Sequence, residues 1–398
     1  MLDFNNSTFR GARVVMRVDF NVPLNPEFQV TDDTRIEAAV PTIRKIITDG
    51  GSVVLMSHLG RPKGGPEMKY SLSHVIPALR KYFPDTTIEF ADDCISDEAF
   101  SKSSTLKGGE ILLLENLRFY PEEEKGDKDF AAKLAKHGDI YINDAFGTAH
   151  REHASTATIA SFFDKNHKGF GYLMNAEVEN ATKVLHGAES PVTAIVGGAK
   201  VSDKIQLLEK LIETMDNILI GGGMAYTFIA AKGGKIGKSL CESDYLDLAL
   251  RILDKAAKNN TEVYLPSDSI IADKFAADAS HKVVPSDQIP DEWMGLDIGP
   301  DAVKQYREVL LNSKTILWNG PMGVFEFEAF SNGTFAVAGA VADATDKGAF
   351  SLIGGGDSVS AINKSGLESR VSYVSTGGGA MLEMLEGKEL PGIAAIKS

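Results

Sequence analysis

Short runs of apolar residues recur along the chain, and each is closely followed by a tail of charged or polar residues or of glycines. The early runs, at residues 14–16, 53–55, 112–114 and 140–142, precede the sequences RVD, SHLGR, ENLR and ND. The later tails are GGAK at 197–200, GGG at 221–223, NGPMG at 319–323, GGGD at 354–357 and TGGG at 376–379. Continuous apolar runs are typical of buried parallel strands, and ligands of open parallel sheets bind beyond the carboxyl ends of the strands. We therefore expect these tails to face ligands.

Helical patterns lie between the apolar runs. After a first strand expected to end at Asn21, helical spacing places four apolar residues on one face: Ile36, Val40, Ile43 and Ile47. A second stripe follows Gly198, with Ser202 as a candidate N-cap, and consists of Ile205, Leu208, Leu211 and Ile212. Alternation of strand and helix predicts βαβ units with right-handed crossovers. The fold class is therefore α/β, with mainly parallel sheets and helices on both faces.

The length of 398 residues predicts two domains, because one hydrophobic core rarely serves so long a chain. The segment between Gly169 and Gly187 reads as a helix flanked by glycines, and it is the expected connector. We expect a first domain over residues 1–170, a connecting helix over 171–187, a second domain over 188–380 and a tail over 381–398. Breaks at Gly387 and at residues 391–392 would let this tail cross back to another part of the molecule.

Arginine and glycine are distributed unevenly between the two halves. Nine of the twelve arginines lie at or before Arg151, and 27 of the 38 glycines lie at or after Gly169. Arginine pairs with carboxylate or phosphate through a planar fork, whereas glycine lets the backbone approach a ligand closely. The first half thus suggests a small acidic substrate, and the second half suggests a nucleotide.

Composition excludes several functional classes. The net charge of −14 argues against general nucleic-acid binding, although a local group of arginines can still attract an anion. The two cysteines, Cys94 and Cys241, support neither a disulfide framework nor a zinc site. The N-terminus lacks a signal-peptide core, and no apolar run approaches the ~18 residues needed to span a membrane. We expect a cytoplasmic protein that binds neither nucleic acid nor membrane.

The tails of the first half carry a repeated arginine theme. Five arginines follow strands or lie in adjoining loops, namely Arg17, Arg35, Arg61, Arg118 and Arg151. Asp19 and Asn21, two residues apart, could contact hydroxyl and oxygen groups of a sugar acid, or could form a capped strand end with a surface ion pair. His58 could donate to an acid, although a lone histidine is more often structural. The pair His150 and His153 lacks a third ligand, so we do not assign it to a metal.

The tails of the second half suit phosphates. Lys200 and Lys204 lie near a predicted helix N-terminus, where a cation is unfavourable unless an anion binds there too. Asp357, at the end of GGGD, offers a hard oxygen to Mg²⁺. Asn319 could contact a phosphate or base and Glu326 a ribose, or both could be turn residues. The chain has neither a Walker A motif nor a GxGxxG motif, which disfavours a dehydrogenase.

Taken in order, nine motifs resemble the signature series of the phosphoglycerate kinase family from about residue 13 to the C-terminus: RVDFNVP, SHLGRP, ENLRF, NDAFGTAHR, GGAKVSDK, GGGMA, WNGPMGVFE, GGGDS and STGGGA. One departure is Ser358, where the family usually has threonine. Both residues carry a hydroxyl, so we expect little change.

The resemblance implies two Rossmann-like domains with a cleft between them. The N-terminal domain would bind 3-phosphoglycerate or 1,3-bisphosphoglycerate through Asp19, Asn21, Arg35, His58, Arg61, Arg118 and Arg151. The C-terminal domain would bind ADP or ATP with Mg²⁺ through Lys204, Gly295, Asn319, Glu326, Gly355, Gly356, Asp357 and Ser358. Asp357 would serve the metal, and Arg35, Lys200 and Lys204 would act on the transferred phosphoryl group. The last residues would return to the N-terminal domain, and the enzyme would be a monomer.

This implied activity is a reversible phosphoryl transfer from 1,3-bisphosphoglycerate to ADP, in glycolysis and gluconeogenesis. It needs positioning and electrostatic stabilisation more than a nucleophile, which suits the arginines, lysines and single metal carboxylate. The rivals are a dehydrogenase, which lacks its fingerprint, and a non-enzymatic nucleotide-responsive protein, which would not need the arginine set. An assay of ATP formation from 1,3-bisphosphoglycerate and ADP separates the three.

Overall fold

A computed structural model describes residues 1–398, and its contacts divide the chain into two compact units. The first unit comprises Met1–Val178 with Glu389–Ser398, and the second comprises Glu179–Lys388. The strands are β1 (Arg13–Arg17), β2 (Ser52–Met56), β3 (Ile88–Ala91), β4 (Ile111–Leu114), β5 (Ile140–Asn143), β6 (Lys168–Phe170), β7 (Val192–Val196), β8 (Asn217–Ile220), β9 (Lys235–Ile236), β10 (Glu262–Tyr264), β11 (Asp268–Ala272), β12 (His281–Pro285), β13 (Gln288–Ile289), β14 (Met294–Ile298), β15 (Thr315–Asn319), β16 (Phe350–Ile353) and β17 (Tyr373–Val374).

Helices fill most of the connections between these strands. They are α1 (Thr34–Thr48), α2 (Ile76–Tyr82), α3 (Asp97–Thr105), α4 (Pro121–Glu124), α5 (Lys128–Ala135), α6 (Tyr172–His186), α7 (Ile205–Leu211), α8 (Met224–Ala231), α9 (Leu246–Lys258), α10 (Pro300–Leu311), α11 (Asn332–Asp346), α12 (Gly356–Lys364), α13 (Gly378–Leu385) and α14 (Pro391–Lys397). None of them combines the length and the apolarity that a membrane crossing would require.

The sheet of the first unit has six parallel strands in the order β3-β4-β2-β1-β5-β6. Its central strands are buried on both faces, which explains their uninterrupted apolar runs. One face packs against α1, whose residues Ile36, Val40 and Ile43 join the core around Val14 and Met16. All the strands therefore end at one edge, which is where the polar tails of the sequence lie.

The second unit also has a six-stranded parallel sheet, in the order β10-β8-β7-β15-β16-β17. It adds a three-stranded antiparallel sheet, β12-β11-β14, and a short parallel pair, β13 with β9. The two six-stranded sheets confirm the predicted α/β class with mainly parallel strands. The antiparallel sheet was not predicted from the sequence.

Helix α6 occupies most of the segment predicted as the connector, and the boundary between the two compact units falls within it. The last helix, α14, belongs to the first unit, where Gly392 donates from its backbone nitrogen to Ala149 O at 2.8 Å. Lys168 Nζ donates to Ala395 O at 2.9 Å. The residues that pack with the first unit at this end of the chain are Glu389–Ser398.

Two local predictions were wrong. Strand β1 ends at Arg17 rather than at Asn21, so Asp19 and Asn21 lie in the irregular tail beyond it. Helix α7 begins at Ile205, and Ser202 is not its N-cap. The Ser202 hydroxyl and backbone nitrogen instead donate to the Glu242 carboxylate, at 2.6 and 3.0 Å, in a 3₁₀ turn that precedes the helix.

Candidate active site

The seven residues predicted to bind an acidic substrate all belong to the first unit, in the tails and loops that follow its strands or, for Arg35, at the start of α1. Arg35 contacts the tail of β1: its Nη1 lies 3.1 Å from Asp19 Oδ1 and 3.1 Å from Asn21 O. The Arg35 side chain remains 42% exposed, so its guanidinium can still reach a ligand. Asp19 thus orients the arginine that the sequence predicted for the transferred phosphoryl group.

Hydrogen bonds join the loops that carry the other predicted residues. Asn21 Oδ1 accepts from Gly60 N at 2.8 Å, and Gly60 O accepts from Arg118 Nη1 at 3.2 Å. A side chain at position 60 could not fit, because a Cβ there would lie 2.4 Å from the ring of Tyr70 and the residue has a φ of 63°. Arg61 follows directly and is exposed. The tails of β1, β2 and β4 therefore form one connected surface.

Arg118 has few contacts with carboxylate groups. Its closest acidic neighbour is Glu124, with Nε and Oε1 3.7 Å apart, and Glu124 itself is 57% exposed. Arg151, in the tail of β5, is exposed, and it acts electrostatically on His153 together with Arg118. Arg151 is thus open to an anion, and the 13% exposed Arg118 has a carboxylate neighbour only at 3.7 Å.

His58 and His153 are neutral at physiological pH. Burial lowers the pKa of His58 well below its usual range, and Arg17, Arg118 and Arg35 lower it further. Burial, followed by Arg118 and Arg17, lowers the pKa of His153 to about 4. His58 is therefore a hydrogen-bonding group in this site and not one of its charges.

Arg17 differs from the other four arginines of the sequence theme. Its side chain is fully buried, and its guanidinium contacts protein groups: Ser155 Oγ, Val18 O and His58 Nδ1. The position after a strand did not distinguish a buried arginine from one that faces a ligand. Arg17 lies behind the predicted binding surface.

The second unit contains a cavity of about 450 Å³ at the ends of its strands. Its walls come from the glycine tails and from the antiparallel sheet, and they include Gly198, Gly222, Gly295, Met322, Glu326 and Asp357. Leu240, Phe275 and Leu296 make one part of the lining apolar. A pocket with an apolar part and convergent polar groups is the usual form of a small-molecule site.

Several glycines of the second unit are needed for backbone packing. A Cβ on Gly197 would lie 2.0 Å from Pro321 O, and one on Gly222 would lie 2.5 Å from Gly198 O. Gly222 N donates to Met322 O at 2.9 Å, and Met224 N donates to Gly198 O at 3.0 Å. The three tails thus interlock and build one wall of the cavity. The glycine tails predicted a close approach to a ligand, and the structure shows that they also approach one another.

Lys204 is held in a position suited to a phosphate. Its Nζ donates to Asn319 Oδ1 at 2.5 Å, and Asn319 Nδ2 donates to Gly354 O at 3.1 Å. Burial lowers the pKa of Lys204, and the negative charge of Asp357 acts in the opposite direction. The side chain of Asn319 is therefore engaged within the protein, where it fixes the lysine. Lys200, four residues earlier, is exposed.

The loop before α12 presents backbone nitrogens and one carboxylate. Gly355 has a φ of 94°, which favours glycine, and the first N–H groups of α12 have no partners within the helix. Asp357, in this first turn, is exposed and lines the cavity. Ser358 is buried, and its Oγ accepts from Gly320 N at 2.6 Å. This hydroxyl ties the loop to the tail of β15.

Comparison with known proteins gives the family. The phosphoglycerate kinase family model matches residues 4–388. A phosphoglycerate kinase of Porphyromonas gingivalis is 53% identical, and the match covers 98% of this chain and 98% of the relative. A cytosolic phosphoglycerate kinase of Nicotiana tabacum is 51% identical, and the match covers 97% of this chain and 96% of the relative. The chain belongs to the phosphoglycerate kinase family. It is a phosphotransferase that acts on a carboxyl group as acceptor, and its reaction links 1,3-bisphosphoglycerate and ADP to 3-phosphoglycerate and ATP in glycolysis.

Solved structures of phosphoglycerate kinases have the same fold. The enzyme of Coxiella burnetii superposes with a TM-score of 0.90 at 40% identity, covering 99% of this chain and 98% of the other. The enzyme of Pyrococcus horikoshii superposes with a TM-score of 0.83 at 33% identity, covering 100% and 98%. Two α/β domains are therefore the architecture of this phosphoglycerate kinase.

Two buried carboxyl groups of this phosphoglycerate kinase were missed by the sequence reading. Burial raises the pKa of Asp144 to about 7, and it raises the pKa of Asp297 to about 7. Asp297 lines the cavity of the second unit, and its Oδ2 accepts from Gly333 N at 2.8 Å at the start of α11. Asp297 follows Leu296 in β14, and nothing in that dipeptide marks the aspartate as buried.

Proposed function

We propose that the first unit of this phosphoglycerate kinase binds 3-phosphoglycerate or 1,3-bisphosphoglycerate. The proposed contacts are Asp19, Asn21, Arg35, His58, Arg61, Arg118 and Arg151. The proposal rests on a single observation, the convergence of cations in loops that are linked to one another by hydrogen bonds. Guanidinium groups match phosphate and carboxylate in charge and geometry.

The second unit binds ADP or ATP in this proposal, with Lys204, Gly295, Asn319, Glu326 and residues 355–358 at the nucleotide. Support comes from the cavity that Gly295, Glu326 and Asp357 line, and from the half-buried Lys204 beside it. A Cβ at position 295 would overlap Tyr226 Oη, at 2.0 Å, so the backbone there is packed on an aromatic side chain. Lys204 and the N–H groups at the start of α12 would contact phosphates.

The donor set fits Mg²⁺ bound together with the nucleotide. No group of three or more histidine, cysteine or acidic side chains is placed to hold an ion. Asp357 is an exposed carboxylate in the wall of the cavity, which Glu326 also lines. Mg²⁺ commonly binds through one or two carboxylates, phosphate oxygens and waters. When bound, the ion would neutralise charge on the phosphates. Asp357 would hold it and orient it relative to Lys204.

Arg35, Lys200 and Lys204 act on the transferred phosphoryl group in this proposal. All three are cationic, and Arg35 and Lys200 are exposed, so they can approach a ligand without breaking a buried contact. Transfer between two bound substrates requires them to lie in line and nearly in contact. Because the proposed sites belong to different units, we infer that the enzyme closes when both substrates are bound.

We also propose that the enzyme is cytoplasmic and monomeric. Among its relatives, the tobacco protein carries the description cytosolic, whereas the Volvox carteri protein is described as chloroplastic. Sedimentation of the purified enzyme tests the monomer, and fractionation of the source cells tests the location.

The assay that tests the function measures ATP formed from 1,3-bisphosphoglycerate, ADP and Mg²⁺. Arg151→Ala should raise KM for the acid substrate, and Glu326→Gln should raise KM for ADP, each without a comparable change for the other substrate. The same KM changes for both substrates in both variants would contradict the assignment of one substrate to each unit.

A further inference from the structure

A buried chain of polar groups lies behind the proposed acid-substrate site, and it ends at His58. Arg17 Nη2 lies 3.1 Å from His58 Nδ1, and Arg17 Nε donates to Ser155 Oγ at 2.8 Å. Ser155 Oγ donates to Glu123 Oε1 at 2.5 Å, and Ser155 N donates to Glu123 Oε2 at 3.0 Å. All four side chains are buried. The chain connects the tails of β1, β2 and β5 with α4.

The direction of these hydrogen bonds is determined by chemistry. A guanidinium has donors only and stays protonated in proteins, so His58 Nδ1 must be the acceptor. A histidine ring that accepts at Nδ1 is neutral and carries its proton on Nε2. An imidazolium would place an N–H against the N–H of Arg17 and a second positive charge beside it. Arg17, Arg35 and Arg118 all oppose that charge on His58.

Glu123 completes the chain at its other end. Its carboxylate accepts a hydrogen bond from the Ser155 hydroxyl, and that hydroxyl in turn accepts one from Arg17. Glu123 and Arg17 form no direct ion pair, but each influences the other's charge across Ser155. A buried arginine needs such compensation, because an uncompensated charge in the interior is strongly unfavourable.

We propose that Arg17, Ser155 and Glu123 are positioning residues that hold His58 as the neutral Nε2–H tautomer, so that Nε2 donates a hydrogen bond to the acid substrate. This inference rests on the proposed role of His58 in substrate binding. His58 then contributes geometry to the site while Arg35, Arg61, Arg118 and Arg151 contribute its charge. Arg17 acts on the substrate only through His58.

The direct test is ¹⁵N NMR of the ligand-free enzyme labelled in histidine, with His58→Gln used to assign the signal. We expect His58 to give the signature of the Nε2–H tautomer, unchanged from about pH 5.5 to about pH 8. An Nδ1–H tautomer, or titration of His58 within that range, would overturn the proposal. This measurement needs no substrate, so it is independent of whether the enzyme uses 3-phosphoglycerate.

Variants test whether Arg17 works through His58. Arg17→Lys keeps the charge but cannot reach Ser155 and His58 together, so both histidine tautomers should become populated. KM for 3-phosphoglycerate should rise about tenfold, which corresponds to the loss of one hydrogen bond to a charged group, and kcat should change less. Ser155→Ala should change the spectrum and KM in the same direction but less. The matched control is Arg44→Lys, because Arg44 is exposed and donates to Tyr82 O elsewhere in the same unit.

A double-mutant cycle separates positioning from general damage. In the His58→Gln background, Arg17→Lys should raise KM for 3-phosphoglycerate little further, because the group through which it acts has gone. Equal effects of Arg17→Lys in both backgrounds would overturn the proposal and indicate a purely structural arginine. If the wild-type enzyme had no activity toward 3-phosphoglycerate, the proposed function would be refuted instead. The NMR spectrum would still determine the tautomer of His58.

Discussion

Asp144 should contribute a pH dependence to the stability of the first unit, and Asp144→Asn should remove that contribution. The carboxyl group is fully buried after β5, where Oδ1 accepts from Met174 N at 3.0 Å in the first turn of α6. Thr42 donates to the same carboxyl group and also accepts from Tyr172 N at 2.9 Å. Gly171 makes room for the carboxyl group, because a Cβ there would lie 2.3 Å from Oδ1. The start of the connecting helix is thus built on a buried acid.

The sign and the size of the effect follow from the pKa of Asp144. Burial raises this pKa from 3.8 to about 7, because the hydrogen bonds from Thr42 and the α6 backbone offset only part of the desolvation. Between those values the folded enzyme holds a proton on Asp144 that the unfolded chain has lost, so the contribution of Asp144 to stability is greatest below about pH 4 and falls as pH rises toward 7. At 1.36 kcal/mol per pH unit, the loss from Asp144 is roughly 2–3 kcal/mol between pH 5 and pH 7.

Hydrogen exchange of the β1 amides measures opening of the first unit itself. Tryptophan fluorescence would not, since Trp293 and Trp318 both belong to the second unit. Comparing wild type with Asp144→Asn at each pH cancels the intrinsic exchange rates. The free energy of opening should fall from pH 5 to pH 7 by roughly 2–3 kcal/mol more in wild type than in Asp144→Asn. Parallel profiles would refute the reasoning, and the exposed control Asp92→Asn should follow wild type.

Three further predictions concern catalysis and motion. Arg35→Ala should lower kcat and kcat/KM together while the protein stays folded, because its ion pair with Asp19 is partly exposed and worth about 0–1 kcal/mol; an unfolded variant or a wild-type kcat would contradict this. Asp357→Asn should weaken binding of the Mg²⁺-nucleotide far more than binding of 3-phosphoglycerate in calorimetry, and equal losses would indicate damage to the fold. The radius of gyration in solution scattering should fall most when 3-phosphoglycerate and an unreactive Mg²⁺-ATP analogue are both present, and identical curves with and without them would count against closure.

Sequence reasoning located the parallel strands because burial on both faces leaves an unambiguous apolar run. β12 shows why the antiparallel sheet escaped: four of its five residues, in the sequence HKVVP, are exposed, so no apolar run marks it. The same limit applies to side chains. Arg17 is the last residue of β1 and Arg118 lies just beyond β4, yet the packing of α4 and the β5 tail over Arg17 buries it fully, whereas Arg118 stays partly exposed.

The contacts of the glycine tails in the second unit were also hard to predict from the sequence. Gly222 and Gly197 occupy tails that the sequence assigned to ligand approach, but their missing side chains are required by neighbouring backbone. A glycine tail therefore indicates a close contact without specifying the partner, which depends on residues more than a hundred positions away, such as Pro321. The candidate binding residues could be named from motifs, whereas their hydrogen-bond partners required the fold.

Both proposed sites keep positive charge available by pairing cations with neutral oxygens. Arg118 donates to Gly60 O and Lys204 donates to Asn319 Oδ1, and neither oxygen carries a charge that would cancel the cation. A carboxylate in either place would fix the side chain as firmly, but it would compete with an anionic substrate. Such an arrangement reconciles a net charge of −14 with two anion sites, because the field at each site is set by its nearest charges. Arg35 and Arg118 differ in their carboxylate contacts: Asp19 lies at 3.1 Å from Arg35 Nη1, whereas Glu124 lies at 3.7 Å from Arg118 Nε. The closer pairing with Asp19 leaves Arg35 free to transfer part of that pairing to the phosphoryl group as charge develops there.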